Sequence, residues 1–279
     1  MKVDAHHHLW QYQSKDYGWI SESQHVLKRH FLPSDLRDAT EKHGINATVA
    51  VQARQSLEET RWLLSLAKQS PLIKGVVGWI DIQSGDLAKM LEEFASEPLL
   101  KGFRHVVQDE PNPHFMLSNA FIDGLHLLHA NDYAYDILVF AHQLPQCIDL
   151  LPQLPPDMRL VVDHIAKPEI AAGTNIAAWQ DNMSAIAAYD NVWCKLSGMV
   201  TEAKHDAWTE EQLLPYIDFI FKSFGPERIM YGSDWPVCLL AAEYKTVINL
   251  VEDYVATHYP SFIEDVMGTN ATRFYHLTN

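Results

Sequence analysis

The sequence is poor in cysteine, in basic residues and in long apolar runs. Its 279 residues include three cysteines, Cys147, Cys194 and Cys238, whose odd number and wide spacing fit neither a disulfide framework nor a CxxC site. Lys and Arg number 21 against 36 Asp and Glu, and the net charge of -15 disfavours nucleic acid and anionic membranes as partners. The first eight residues lack the apolar run of a signal peptide, and no apolar stretch is long enough to span a membrane. We therefore expect a cytoplasmic protein without nucleic-acid or membrane partners; its oligomeric state stays open.

Three common catalytic fingerprints are missing as well. The chain contains no Gly-x-Ser-x-Gly elbow, no P-loop and no Gly-x-Gly-x-x-Gly dinucleotide motif. The serine hydrolase, kinase and oxidoreductase classes therefore lose their main sequence support. The composition, with 47% hydrophobic and 20% charged residues, is that of an ordinary globular protein and excludes disorder and fibrous structure.

Short aliphatic or β-branched runs alternate along the chain with longer segments of helical period. Eight such runs predict strands, because they are continuous and apolar, as in a parallel sheet covered on both faces. They are Lys2–Leu9, Asn46–Ala53, Lys74–Ile80, Lys101–Val107, Tyr135–Phe140, Arg159–Val162, Val192–Leu196 and Arg228–Tyr231. Helices are predicted over 34–43, 56–69, 85–95, 118–131, 144–151, 176–188, 209–224 and 241–257.

Eight strand–helix units close most naturally into a barrel. The sequence thus predicts an α/β protein, a distorted (β/α)8 TIM barrel in a single domain over residues 1–279. A doubly wound open sheet is the alternative, but it would usually carry a Gly-rich loop after its first strand, where this chain has three histidines. Ser56 with Glu59 has the pattern of a capping box, and Gly44 stands where a helix C-cap is expected. Residues 10–33 and 108–117 are long for βα loops, and 260–279 are expected to close one end of the barrel.

Polar side chains collect where the predicted strands end. Strand one ends in His6-His7-His8, and alternation along a strand places His6 and His8 on the same side. His164 follows strand six, and Asp234 follows strand eight. In a barrel these four side chains meet at one mouth, where they suit either paired acid–base chemistry or a divalent metal such as zinc. A satisfied core histidine is the structural alternative for His164, and a helix N-cap for Asp234.

These residues belong to motifs that resemble the amidohydrolase superfamily. Within it they are similar to the sugar-lactonase branch, which includes fuconolactonases, rhamnonolactonases and pyrone-dicarboxylate lactonases. The resemblance runs from the first strand to Asn270–Tyr275. Its motifs are His6-x-His8, Gly102-Phe103-Arg104-His105, Asp163-His164-x-x-Lys167-Pro168, Lys195-Leu196-Ser197-Gly198 and Tyr231-Gly232-Ser233-Asp234-Trp235-Pro236.

The resemblance implies a lactone-hydrolysing barrel in which His6, His8, His164 and Asp234 surround the substrate carbonyl. Lactone hydrolysis needs an activated water, an electrophile at the carbonyl oxygen and a proton for the leaving alkoxide. Asp234 is the candidate base, and the histidines would polarise the carbonyl or hold a metal. The same four residues could bind zinc, yet the branch resemblance implies that no metal is required.

Other polar residues at strand ends are candidates for binding the substrate. The resemblance assigns substrate oxygen atoms to Arg104, and Gln52 at the end of strand two can donate and accept toward hydroxyl groups. We add Lys167, His142 and Trp235 as binding candidates. Lys195 could also bind substrate, with a surface salt bridge as the alternative.

Together these observations predict a hydrolase of the EC 3.1.1 type. It would open a fucono-, rhamnono- or galactono-lactone to its aldonic acid in carbohydrate catabolism. A metal-dependent hydrolase or decarboxylase of the same superfamily, acting on a carboxylated or aromatic substrate, is the alternative. A binding barrel without chemistry is a third hypothesis, which the complete set of His6, His8, His164 and Asp234 disfavours.

Overall fold

The computed structural model describes residues 1–278. Eight parallel strands form one sheet in the order β1 to β8, which confirms the predicted (β/α)8 barrel. Each predicted strand agrees with an observed one to within two residues at either end. The strands are β1 Lys2–His7, β2 Ile45–Val51, β3 Ile73–Gly78, β4 Leu100–Val106, β5 Ala134–Leu138, β6 Leu160–Val162, β7 Val192–Leu196 and β8 Ile229–Tyr231.

Helices surround the sheet and cover its outer face. They are α1 Pro33–Thr40, α2 Leu57–Gln69, α3 Leu87–Phe94, α4 Asn119–Ala130, α5 Leu144–Leu150, α6 Ile176–Ala187, α7 Met199–Glu202, α8 Glu210–Phe224, α9 Tyr244–His258 and α10 Asn270–Phe274. Eight of these match predicted helices. The short α7 was not predicted, because four residues carry too little periodicity. Within residues 1–278, no helix has the length and apolarity to cross a bilayer.

The barrel closes between β8 and β1 through a small set of hydrogen bonds. The amide of Asp234 donates to the carbonyl of His6 at 2.8 Å, and the amide of His8 donates to the carbonyl of Trp235 at 2.7 Å. The buried carboxylate of Asp4 accepts the amide of Ser233 at 2.9 Å. This closure places Asp234 directly beside the two histidines of the HxH motif.

The C-terminal segment closes the opposite end of the barrel, as predicted for 260–279, of which residue 279 lies outside the described residues. Phe274, Tyr275 and Leu277 are buried against the small side chains that fill the barrel interior, such as Val3 and Val161. The Tyr275 hydroxyl reaches the Asp136 carboxylate inside the barrel, at 2.8 and 2.9 Å from its two oxygens. The barrel is therefore a packed core with one open mouth.

The predicted capping box at the start of α2 forms only in half. Ser56 Oγ accepts the amide of Glu59 at 3.2 Å, as expected. The Glu59 carboxylate instead accepts the amides of Ala53, at 3.0 Å, and Arg54, and it is almost fully buried. Burial raises the pKa of Glu59 to about 7. The side chain thus anchors the loop after β2 rather than the helix end. Gly44 forms the predicted left-handed C-cap, with φ of +68°.

The burial of Glu59 makes stability depend on pH. Its pKa is higher in the folded chain than its usual value of 4.5, so its contribution is present at low pH and is lost as the pH rises through about 7. Between pH 4 and pH 8 we expect the native chain to lose up to about 3 kcal/mol of unfolding free energy that Glu59→Gln does not lose. Denaturant unfolding measures this difference. The exposed neighbour Glu58 provides the control, because Glu58→Gln should follow the native pH profile; an equal slope for Glu59→Gln would contradict the assignment.

Candidate active site

A cavity of about 530 Å³ opens at the carboxyl ends of the strands. Its walls include residues from the loop after β1, among them Trp19, and from the loops after β2 and β4. Six of the predicted site residues line it: His8, Gln52, Arg104, His164, Lys167 and Asp234. His6 is fully buried next to them and contacts His8 and Arg104. Open barrel mouths of this size are the usual location of active sites in this architecture.

Three histidine rings surround one oxygen of the Asp234 carboxylate. Oδ1 of Asp234 lies 3.3 Å from Nε2 of His8 and 3.9 Å from Nε2 of both His6 and His164. The two HxH rings are also in contact, with their Nε2 atoms 3.3 Å apart. The four residues predicted to be catalytic are therefore brought together, within reach of a single reacting group.

An unusual backbone conformation places two of these side chains. After β6, His164, Ile165, Ala166 and Lys167 all have left-handed φ angles between 47° and 58°. Asp234, with φ of +56°, is left-handed too. Such conformations cost about 1–3 kcal/mol each for residues other than glycine, and they concentrate at functional sites. The turn directs His164 and Lys167 into the cavity and leaves Ile165 and Ala166 buried in the core.

The electrostatics of the cluster favour an ionised Asp234 carboxylate beside neutral His6 and His164 rings. Burial alone would raise the pKa of Asp234, but the adjacent His164 and His8 outweigh it and lower that pKa. Burial lowers the pKa of His164 to about 4 and holds the pKa of His6 well below its usual range. At neutral pH, Asp234 is a base, while His6 and His164 are uncharged.

A buried network of charges lies beneath the cluster. The Lys195 ammonium contacts Asp136 at 2.5 Å, Asp163 at 3.0 Å and Nδ1 of His6 at 3.1 Å, and all four side chains are fully buried. Arg104 NH1 donates to the second oxygen of Asp163 at 3.0 Å. Two cations thus face two carboxylates. Lys195 is therefore neither a surface salt bridge nor a residue of the cavity wall, contrary to both sequence interpretations.

The Arg104 guanidinium donates most of its hydrogen bonds to other groups of the protein. Besides Asp163, its guanidinium donates to the backbone carbonyl and the side-chain oxygen of Gln52. Gln52 in turn donates its amide to the carbonyl of Arg104 at 3.3 Å. Arg104 and Gln52, the two predicted substrate ligands, are thus hydrogen-bonded to each other in the cavity wall. Their role in binding substrate stays a prediction.

The other predicted binding residues lie in different settings. Lys167 lines the cavity and faces Glu202 at 3.5 Å. His142 is exposed and stacks on Phe140, with ring centroids 5.8 Å apart. Trp235 is buried and packs edge-on against Phe31, so it supports the wall from behind.

Sequence reasoning missed four residues that hold the site: Asp136, Asp163, Ser197 and Tyr275. Ser197 Oγ lies 2.8 Å from Nδ1 of His164 and orients that ring. Asp163 and Ser197 stand inside the recognised motifs, next to residues that were assigned roles. Asp136 lies inside an apolar strand. A lone charged residue in such a strand was the one signal in the sequence that could have identified it.

The cluster offers donor types that zinc prefers, but its surroundings oppose a dication. Ligand atoms of His6, His164 and Asp234 lie within 4.8 Å of one another. However, Nε2 of His6 lies 3.3 Å from the Arg104 guanidinium, and its Nδ1 contacts the Lys195 ammonium. A dication ligated by His6 would be close to both positive charges. The residues present thus do not fit a tightly held metal ion that uses His6 as a ligand.

The architecture and the site together define a hydrolase-type barrel with a histidine–aspartate cluster at its mouth. The family model described as Amidohydrolase matches residues 3–277. This chain therefore belongs to the amidohydrolase family, which confirms the resemblance found in the sequence.

Named relatives narrow the comparison to the sugar-lactonase branch. The L-fucono-1,5-lactonase of Burkholderia multivorans is 39% identical, with 99% of this chain and 96% of that protein aligned. The L-fucono-1,5-lactonase of Burkholderia ambifaria is 36% identical over the same shares. A crystal structure of an amidohydrolase from Burkholderia multivorans with bound zinc is 38% identical, covers both chains completely and superposes with a TM-score of 0.96.

The contact between Gly198 and His164 offers a test of how the site is held. A Cβ at Gly198 would lie 2.6 Å from Nδ1 of His164, and this glycine has φ of +65°. Gly198→Ala should therefore displace the ring and lower kcat by about tenfold or more, since small misplacements in active sites have large effects. Steady-state kinetics measures the loss.

Gly173 provides a matched control for this substitution. Its φ of +64° is almost the same, but a Cβ there meets nothing within 4 Å. Gly173→Ala should cost about 1 kcal/mol of stability through its backbone conformation and leave kcat unchanged. Equal kcat values for the two variants would refute the proposed support of His164 by Gly198.

Proposed function

We propose that this chain hydrolyses the lactone of a sugar acid to the open-chain acid, with L-fucono-1,5-lactone as the first candidate substrate. The observation that carries the proposal is an ionised Asp234 surrounded by three imidazoles at the floor of an open cavity. The two relatives named L-fucono-1,5-lactonase, at 39% and 36% identity, support this choice of substrate.

The geometry suits attack by water on the lactone carbonyl. Asp234 takes a proton from the water, whose oxygen forms a bond to the carbonyl carbon. His6, His8 and His164 provide the polar surroundings for the negative charge that develops on the carbonyl oxygen. The ring C–O bond then breaks, and the leaving alkoxide receives a proton from the cluster. The balanced products are a carboxylic acid and a free hydroxyl group.

The charges of the cavity favour an uncharged substrate over a carboxylated one. Arg104 faces Asp163 at 3.0 Å, Arg54 faces Asp16 at 3.4 Å and Lys167 faces Glu202 at 3.5 Å. Binding a substrate carboxylate at any of these three cations would require that cation to leave a partner, and the fourth cation of the cavity wall, Lys15, is exposed to solvent. A neutral sugar lactone needs hydroxyl recognition instead, which Gln52 and the polar rim can supply. This argument disfavours the carboxylated-substrate alternative.

We also propose that the reaction requires no metal, since Arg104 and Lys195 oppose a dication at His6. His6, His8, His164 and Asp234 remain the residues to examine if zinc is found. The cytoplasmic location, the lack of nucleic-acid or membrane partners and the single domain over 1–279 stay predictions.

A lactone panel tests the proposed substrate class and the metal together. Chelator-treated enzyme should release acid from L-fucono-1,5-lactone well above the spontaneous rate, with weaker turnover of galactono- and rhamnono-lactones. A pH indicator follows the reaction. A pyrone dicarboxylate should be a poor substrate, because three of the four cations in the cavity wall, Arg54, Arg104 and Lys167, already face carboxylates. Activity that vanishes on chelation and returns with zinc would contradict the metal-free proposal, and turnover of the dicarboxylate alone would contradict the substrate class.

Removal of the base tests its assignment. Asp234→Asn keeps the size of the side chain but cannot accept the proton, so kcat should fall by about 10²- to 10⁴-fold. Thermal unfolding confirms that the variant is folded, and Asp157→Asn, at an exposed position outside the cavity, provides the control. Near-normal turnover by a folded Asp234→Asn enzyme would exclude Asp234 as the base.

A further inference from the structure

We propose that Trp19 is a specificity residue whose indole ring covers an apolar C–H face of the closed lactone ring, so that the cavity binds the ring in preference to the open-chain product. The proposal rests on the proposed lactonase activity and adds a contact to the same substrate. Trp19 belongs to the loop after β1, residues 8–32, which contributes part of the cavity wall.

Trp19 is the exposed member of an aromatic cluster in this loop. Trp10 and Tyr17 are buried, whereas Trp19 leaves 42% of its surface exposed. The other seven tryptophans of the chain are all buried or half-buried. An apolar ring that faces water inside a cavity gains free energy when a ligand covers it. The exposure of Trp19 is therefore what a binding surface for C–H groups requires.

The base on which Trp19 rests is rigid. Trp10 packs edge-on against it, with ring centroids 5.8 Å apart, and Nε1 of Trp10 donates to the carbonyl of Arg29 at 2.9 Å. The backbone of Trp10 pairs with that of Phe31 through two hydrogen bonds of 3.0 and 2.9 Å, which close the base of the loop. A side chain presented from such a base loses little conformational freedom when a ligand binds.

Trp19 supplies an apolar surface that the rest of the wall offers only in small pieces. The side chains of Gln52, Arg54 and Arg104 in the wall are polar and suit hydroxyl groups. The other apolar residues of the wall are aliphatic and buried or half-buried: Ala53, Val106, Leu138 and Val237. Trp19 is thus the largest and most exposed apolar side chain that a substrate meets in this cavity.

The shape of a sugar lactone matches this division of the wall. Its hydroxyl groups point outward around the ring, and its C–H groups are held together on the faces of the ring. Hydrolysis opens the ring into a flexible chain with a negative charge, so the product no longer presents a fixed C–H face. Covering about 60 Å² of such a face by an indole corresponds to about a tenfold gain in affinity for the lactone.

Calorimetric titration of the full-length enzyme with two probes tests the proposal. The first probe is L-fucono-1,5-lactam, a neutral ring with an amide in place of the ester, and the second is L-fuconate, the open-chain acid. Trp19→Ala should raise the Kd of the lactam about tenfold and change the Kd of the acid by less than about twofold. Trp19→Phe should recover part of the lactam affinity, because it keeps an aromatic face.

Val26→Ala provides the control for these variants. Val26 is an exposed hydrophobic residue of the same loop but does not line the cavity, so this variant should bind both probes like the native enzyme. An unchanged lactam Kd in Trp19→Ala would overturn the proposal. Equal losses for lactam and acid would overturn it as well, because they indicate a general disturbance of the loop. A native enzyme that does not bind the lactam would refute the proposed substrate class and this contact with it.

Fluorine NMR reads the contact directly in the native sequence. Protein labelled with 5-fluorotryptophan has one ¹⁹F signal for each of its eight tryptophans, and Trp19→Phe assigns the signal of Trp19. Saturation with the lactam should shift this signal and leave that of Trp179, which is buried outside the cavity, in place. A Trp19 signal that stays unchanged while the lactam is bound would overturn the proposal. This result does not depend on whether any lactone is hydrolysed.

Discussion

The charged network around Lys195 is the constraint on which the rest of the site depends. Four ionic side chains are buried in the barrel interior, and each would destabilise the fold strongly if left without its partner. Their mutual contacts fix Arg104 and His6, and the Tyr275 hydroxyl ties Asp136 to the segment that closes the far end of the barrel. Site geometry and barrel packing are therefore linked through the same few atoms.

A second constraint is the way in which the barrel closes. The bonds between β8 and β1 join the backbone of Asp234 to that of His6, and the backbone of Trp235 to that of His8. The base and the two histidines thus belong to one hydrogen-bonded seam, although more than 200 residues separate them in sequence. Two strands away from this seam, the left-handed turn after β6 brings His164 toward the same carboxylate oxygen. The strained backbone and the close seam together give a preorganised cluster.

The fold and the reacting cluster could be predicted from the sequence because their signals are local. Continuous apolar runs specify buried parallel strands, and the barrel then places residues at strand ends next to one another. The use of Arg104 and Lys195 could not be predicted in this way. Whether a cation faces solvent, substrate or a buried carboxylate depends on Asp136 and Asp163, which come from other strands. Glu59 shows the same limit on a smaller scale. The capping-box pattern predicts that its carboxylate accepts the N-cap amide, but it accepts two amides of the preceding loop instead.

The central claim is that Asp234 and its histidines act directly on the carbonyl of a neutral lactone. A crystal structure of the Asp234→Asn protein with L-fucono-1,5-lactone bound tests it most directly. The account predicts the lactone in the barrel mouth, its carbonyl carbon beside residue 234, its carbonyl oxygen directed at the histidine cluster and no metal on His6. A lactone whose carbonyl faces away from the cluster, or a metal ion ligated by His6, would contradict the account.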